Sequence, residues 1–223
     1  MSILKRRERL LEGHGLYLIL TRPRLPHIEL ARAACERNVP VIQLREKELH
    51  DPELLALARE IAAVTRGTQT LFIVNDRPDI AAASEADGVH LGRDDTGYTQ
   101  AREFLGPDAI VGLSIRTPRE GESARRIGAD YVGVGPVFPT ATKPDALEPV
   151  GLEGLKAVAA RVPDLPRVAI GGITPGNVHD VLAAGAQYAA VISAICHAAD
   201  PVAAMDALLS ARGPGGGGAP GLT

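Results

Sequence analysis

Short apolar runs recur along the chain at intervals of roughly 20 to 30 residues, and polar stretches with helical spacing separate them. The runs are Leu16–Leu20, Val41–Leu44, Leu71–Val74, Gly88–Leu91, Ile110–Ile115, Tyr131–Val134, Val168–Ile170 and Tyr188–Ile192, which makes eight candidate strands. Most are unbroken rather than alternating, as expected of strands buried on both faces. Between them, Pro52–Val64, Gly151–Ala160 and Pro175–Ala184 carry apolar residues three and four apart, and Pro175 stands near a helix start. Eight strand–helix alternations predict an α/β chain folded as a (β/α)8 TIM barrel. An open doubly wound sheet shares the alternation, but the count of eight and the lack of a GxGxxG turn after the first strand favour the barrel.

Two segments fall outside this pattern. Residues 1–15 form an N-terminal extension in which Ile3, Leu4, Leu10 and Leu11 allow an amphipathic helix, either covering the bottom of the barrel or preceding it. Residues 16–212 make a single catalytic barrel domain. Residues 213–223, GPGGGGAPGLT, hold too little apolar surface to order themselves and are expected to be disordered and dispensable.

Composition narrows the function. With 223 residues, 45% of them hydrophobic, the chain can bury a substantial core. Aromatic residues are only 3% and Trp is absent, which argues against stacking on nucleic acid and favours small-molecule chemistry. Cys35 and Cys196 lack CxxC spacing, so neither a disulfide framework nor a zinc site is indicated. The charged start, Lys5-Arg6-Arg7-Glu8-Arg9, has no apolar signal-peptide core, and no run approaches the ~18 apolar residues of a membrane span. A cytoplasmic protein with no membrane partner is expected, and self-association into a homo-oligomer stays open.

Against a net charge of -3, one basic cluster stands out where the second run ends: Gln43-Leu44-Arg45-Glu46-Lys47. Alternate residues of a strand share a face, so Gln43, Arg45 and Lys47 point one way and can form an anion site; a solvated strand end is the other reading. Other polar residues also fall at strand C-termini, where barrel active sites lie: Asn75-Asp76, Gly92-Arg93-Asp94-Asp95, Ser114, and a loop with Thr140, Thr142 and Lys143. Asp76 and Asp95 can share a Mg²⁺ ion with substrate phosphate oxygens, or each can cap the following helix. The seventh and eighth runs end in Gly171-Gly172-Ile173 and Ile192-Ser193, either a backbone phosphate cradle or tight turns. Two anion sites on one mouth suit an enzyme that joins a diphosphate substrate to a monophosphate substrate. Arg45, Lys47, Lys143 and Mg²⁺ would then stabilise the departing diphosphate. His90, inside its strand, reads as a packed or hydrogen-bonded structural residue. The other histidines, His14, His27, His50, His179 and His197, show no metal-ligand spacing.

Taken in chain order, LYLILT, VIQLREK, LFIVNDRPDIA, ADGVHLGRDD, IVGLSIRT, GADYVGVGPVFPTATK, VAIGGITPGN and AAVISAI resemble the thiamine-phosphate synthase family across residues 16–195. IGGI alone is common among phosphate-binding barrels, whereas QLREK, ND, the later Asp and PTATK in this order are specific. The resemblance implies a transferase coupling 4-amino-2-methyl-5-(diphosphomethyl)pyrimidine to a thiazole phosphate, by departure of diphosphate and capture of the resulting cation by the thiazole nitrogen. It implies Gln43, Leu44, Arg45, Glu46, Lys47, Asn75, Ser114 and Lys143 around the pyrimidine diphosphate, with Lys143, Arg45, Lys47 and Ser114 as catalytic groups. Thr140, Ala141, Thr142, Gly172, Ile192 and Ser193 would hold the thiazole phosphate, and Asp76 and Asp95 the Mg²⁺. Arg93, Arg116 and Arg22 depart from the family pattern and are expected to make the mouth more cationic. A thiazole tautomerase on the same barrel, or a non-catalytic regulator binding thiamine precursors, is the rival reading. The paired Asp76 and Asp95 and the PTATK loop speak against the tautomerase, and retention of every charged position expected to act on the leaving group speaks against the regulator.

Overall fold

The computed structural model describes residues 3–92, 97–140 and 148–211. Eight parallel strands, β1 (Gly15–Leu20), β2 (Val41–Leu44), β3 (Leu71–Asn75), β4 (Gly88–Leu91), β5 (Ile110–Ile115), β6 (Tyr131–Val134), β7 (Arg167–Ile170) and β8 (Tyr188–Val191), form a closed barrel in sequential order. Closure is direct, with Leu18 of β1 in register with Ile42 of β2 on one side and Val191 of β8 on the other.

The helices are α1 (Ile3–Glu12), α2 (His27–Glu36), α3 (Asp51–Thr65), α4 (Pro78–Ala83), α5 (Tyr98–Leu105), α6 (Pro118–Ile127), α7 (Gly151–Arg161), α8 (Val178–Ala183), α9 (Ser193–Cys196) and α10 (Pro201–Ala211). Local signals set their ends. In α6, the Thr117 hydroxyl accepts from the Glu120 N–H at 3.2 Å while the Glu120 carboxylate accepts from the Thr117 N–H at 3.0 Å, and Gly128 closes the helix at φ 88°. At α8 the sequence expectation fails by three residues. Pro175 belongs to a turn in which Asn177 accepts from the Thr174 N–H (2.8 Å) and donates to the Gly172 carbonyl (2.9 Å), so the helix starts at Val178.

The period of two along each strand sorts side chains into two cores. Leu16, Leu18, Leu20, Ile42, Leu44, Phe72, Val74, Val132 and Val134 point outward and pack under the helices. Tyr17, Ile19, Val41, Leu71, Ile73, Ile110, Tyr131, Val168, Tyr188 and Ala190 fill the barrel interior. Helix α1 closes the N-terminal end: Leu10, 1% exposed, joins the interior core, and Tyr188 donates its hydroxyl hydrogen to the Leu10 carbonyl at 2.9 Å. Arg6 and Arg7 clamp the same end through Asp87 (3.0 Å) and Asp130 (2.8 Å). The chemistry is thereby confined to the opposite mouth. No helix among the described residues is long and apolar enough to cross a membrane.

Candidate active site at the C-terminal mouth of the barrel

Gln43, Arg45 and Lys47 follow one another along the inward face of β2 and its continuation, lining a cavity with Asn75, Asp76, His90, Gly92 and Ser114. The backbone of this basic segment is fixed from β1. The Arg45 N–H donates to the Leu20 carbonyl at 2.9 Å, and the Thr21 hydroxyl donates to the Arg45 carbonyl. Leu44 and Glu46 occupy the other face. Leu44, 1% exposed, packs under the helices, and the Glu46 carboxylate accepts from the Arg22 N–H and pairs with His27 Nε2 at 2.6 Å. Their side chains therefore lie away from the cavity, as alternation along the strand requires, and of the five-residue run expected around the pyrimidine diphosphate the side chains of Gln43, Arg45 and Lys47 line it.

Asp76 sits one residue past β3 with φ at 61°, a left-handed conformation that turns its carboxylate back over the barrel. Its N–H donates to the His90 carbonyl at 2.8 Å, Oδ1 accepts from the Gly92 N–H at 3.1 Å, Oδ2 accepts from Asn75 Nδ2 at 2.5 Å, and Lys47 Nζ lies 3.7 Å from Oδ2. The N-cap of α4 is Arg77, so Asp76 does not cap that helix. It stands as a hard oxygen donor at the mouth, of the type that Mg²⁺ takes together with substrate phosphate oxygens. No group of three or more His, Cys, Asp or Glu converges on a metal-sized site among the described residues. Asp95, Ala141, Thr142 and Lys143 lie outside the described residues, as does the 213–223 tail.

Across the mouth, Thr140 ends the described part of the loop after β6, and Gly172, Ile192 and Ser193 follow β7 and β8. At Gly172, φ 64°, an added Cβ would stand 2.7 Å from Phe138 Cβ and from the Pro139 carbonyl oxygen, so only glycine lets the β6 and β7 loops meet this closely. Ile192 reaches the cavity and Ser193 opens α9 with its side chain exposed. Two of the atypical arginines are already engaged: Arg22 with Glu48 at 2.9 Å, and Arg116 with the Glu148 carbonyl. Neither lines the cavity, and Arg93 lies outside the described residues.

Reading the sequence missed the floor of the site. Gln43 Nε2 donates to the Tyr17 hydroxyl (2.8 Å), Tyr17 meets the Tyr131 hydroxyl (2.9 Å), Tyr131 meets His90 Nδ1 (3.0 Å), and His90 Nε2 meets Ser114 Oγ (2.9 Å). Burial pushes both tyrosine hydroxyls well above their ordinary pKa, so they remain neutral donors. The signal was present, since Tyr17, His90 and Tyr131 each carry a polar atom at an inward strand position, but Tyr counts as apolar in a hydropathy pattern. In a larger depression at the barrel's other end, lined by Arg7, Tyr98, Arg102, Glu103 and Asp130, both arginines are paired with Asp130, at 2.8 Å from Arg7 and 2.6 Å from Arg102. It offers no comparable chemistry.

A closed (β/α)8 barrel with basic, carboxylate and hydroxyl groups gathered at its strand C-termini belongs to the class of barrel enzymes that act on small phosphorylated substrates. Comparison with known proteins narrows the class. The sequence model for "Thiamine monophosphate synthase" matches residues 16–195, and the chain belongs to that family of transferases in thiamine biosynthesis. It is 51% identical over 179 residues to the thiamine-phosphate synthase of Moorella thermoacetica, covering 80% of this chain and 85% of that one. It is 44% identical over 198 residues to the thiamine biosynthesis bifunctional protein ThiM/ThiE of Symbiobacterium thermophilum, spanning 89% of this chain but 41% of that longer protein. Among solved structures, thiamine phosphate pyrophosphorylase from Pyrococcus furiosus superposes with a TM-score of 0.81 at 38% identity, covering 92% of this chain and 96% of the other.

Proposed function

We propose that the mouth binds 4-amino-2-methyl-5-(diphosphomethyl)pyrimidine and a thiazole phosphate together and joins them into thiamine phosphate. The observation that carries this reading is the convergence of Arg45, Lys47, Asp76 and Ser114 on one cavity, in a chain of this family. Arg45 and Lys47 are donors and cations for the diphosphate, and Gln43 and Asn75 present amides to the pyrimidine. Thr140 to Thr142, Gly172, Ile192 and Ser193 receive the thiazole phosphate. In the reaction the bond between the pyrimidine methylene carbon and the diphosphate oxygen breaks, and the electron pair leaves with diphosphate. The thiazole nitrogen lone pair then forms the new C–N bond to the methylene carbon. Lys143, Arg45, Lys47 and Ser114 stabilise the charge that grows on the leaving oxygens, where fixed donors act most strongly. Asp76 and Asp95 are the residues that would hold Mg²⁺, which when bound would supply further charge neutralisation on the diphosphate.

The test is formation of thiamine phosphate by the purified protein from the two synthetic substrates, with Mg²⁺, without it, and with EDTA. Metal-dependent product is the expected result. Absence of product, with the thiazole phosphate still binding in a calorimetric titration, refutes the coupling reading.

A further inference from the structure

The polar chain under the cavity has a direction. Four hydrogen bonds link five side chains from β2, β1, β6, β4 and β5, running from Gln43 through Tyr17, Tyr131 and His90 to Ser114. The barrel makes room for it with glycine. At Gly112 an added Cβ would stand 2.0 Å from the Tyr131 ring, and at Gly133 one would stand 3.0 Å from the His90 ring. Gly112 lies beside both His90 and Tyr131 in the strand register, and Gly133 lies beside Ser114. Two strand positions that ordinarily favour bulky side chains are thus kept small around these rings.

The donor at the start fixes the order of the rest. An amide nitrogen can only donate, so Tyr17 oxygen accepts from Gln43, and the hydrogen of the fully buried Tyr17 hydroxyl has the Tyr131 oxygen as its one acceptor among the described residues. Tyr131 then accepts from Tyr17 and directs its hydrogen at His90 Nδ1, which must be the bare nitrogen of the ring. The single ring hydrogen is left on Nε2, pointing at Ser114 Oγ. In the reverse order Nδ1–H would donate to Tyr131 and Tyr131 to Tyr17, leaving the buried Tyr17 hydrogen without an acceptor among the described residues; in the forward order a doubly protonated ring would set its Nδ1–H against the Tyr131 hydrogen.

We infer that Tyr17, Tyr131 and His90 are positioning residues that hold His90 as the Nε2–H tautomer, so that Ser114 accepts from the ring and turns its own hydroxyl hydrogen into the cavity as a donor to substrate oxygen. Resting on the function proposed above, this assigns Ser114 its polarity: a donor, suited to a diphosphate and unsuited to a cationic ligand. It also replaces the purely structural reading of His90.

The test begins on the substrate-free protein, with isotope-labelled histidine and long-range proton–nitrogen spectra, His90 being identified by its loss in His90→Gln. The expected pattern is a neutral ring protonated at Nε2 that loses this preference in Tyr131→Phe. A ring protonated at Nδ1 or at both nitrogens, or one indifferent to Tyr131→Phe, overturns the inference. In turnover, Tyr131→Phe is expected to lower kcat about tenfold with little change in KM, the scale of one misdirected buried hydrogen bond. In a Ser114→Ala background the same change should cost less than about twofold, because the chain then has no hydroxyl to orient. Equal losses in both backgrounds would mean that Tyr131 acts through packing alone, and the inference fails. A wild-type protein without turnover would refute the proposed reaction, while the spectra still decide where the proton lies.

Discussion

Gly112→Ala should be among the most damaging single-methyl additions to this protein. The new Cβ would lie 2.0, 2.2 and 2.6 Å from three atoms of the Tyr131 ring, where ordinary contact begins at 3.4 Å. The ring must therefore retreat by about 1.4 Å, from 2.0 Å to the 3.4 Å limit. It has nowhere to go: Tyr131 is fully buried, with the Tyr17 ring centroid at 6.1 Å and that of His90 at 5.4 Å. Overpacking of this kind costs about 1–3 kcal/mol. Displacing the hydroxyl also disrupts its hydrogen bonds to Tyr17 and His90, at about 1 kcal/mol net each or more where a buried group is left without a partner. Together these amount to about 3–6 kcal/mol, a large part of the ~5–15 kcal/mol that stabilises a typical domain. Urea denaturation of purified wild type and variant measures it, and at about 2–4 °C per kcal/mol for a chain of this size the midpoint of thermal unfolding should fall by roughly 10 °C. Gly133→Ala provides the internal control, since its Cβ meets His90 only at 3.0 and 3.3 Å and should cost less. A loss below about 1 kcal/mol at Gly112 would mean that the ring is free to repack, and the account of a rigid, directed hydrogen-bond chain would fall with it.

Other consequences separate the two ends of the barrel. Asp76→Ala and Lys47→Ala should each reduce thiamine phosphate formation by about a hundredfold or more, while unfolding curves shift by less than about 1 kcal/mol because both groups face the cavity rather than the core; normal turnover in either variant removes it from the site. Cys196, buried and donating to the Ile19 carbonyl at 3.3 Å, has its thiol pushed up to about 11 by burial, so a colorimetric thiol assay at pH 8 should detect it only after denaturation. Rapid native reaction at Cys196, located by peptide mapping, contradicts that packing. Asp87 at the closed end is raised above its ordinary 3.8 by burial, which outweighs the Phe72 N–H at 2.7 Å and Arg6. The folded state then binds more protons than the unfolded state, so this group's contribution falls as pH rises from 3.8 through its folded value. Comparing Asp87→Asn with wild type by denaturation across that range should show the step vanish in the variant; a step of the same size in both excludes Asp87 as its source. Asp79, lowered by Arg77, acts with the opposite sign and in a separate window, its stabilisation being lost as pH falls below 3.8.

How far these features were legible in the sequence depends on the range of the forces that set them. The eight strands were readable within a residue or two, because continuous apolar runs bounded by turn residues leave little else for a doubly buried strand to be. The basic and acidic residues at the strand ends were readable for the same reason, since a strand's C-terminus is a place in the sequence as well as in space. The period of two that separates Leu44 and Glu46 from Gln43, Arg45 and Lys47 was readable too, but the partners of Glu46, the Arg22 N–H and His27, were not. Nor was the left-handed turn at Asp76, which depends on the His90 carbonyl receiving its N–H from a neighbouring strand. Tyr17 and Tyr131 are 114 residues apart and meet only because the sheet closes. No local pattern encodes such a pair.

The same closure explains why stability and chemistry can be tuned separately here. At the N-terminal end, apolar and ionic contacts reinforce one another: Leu10 fills the barrel's base, Tyr188 holds the α1 backbone, and Asp130 forms an ion pair with Arg7 and accepts from Arg102 and the Val111 N–H. Every charge in that cluster has a partner, so it tolerates burial and offers little to a ligand. At the C-terminal end, Lys47 stays 60% exposed, near Asp76 only at 3.7 Å, and the inward polar groups form a chain instead of pairs. A pair satisfies itself, whereas a chain that starts on a donor must end on one. In this barrel the end is Ser114, and the unspent hydrogen is delivered where a phosphorylated substrate would meet it.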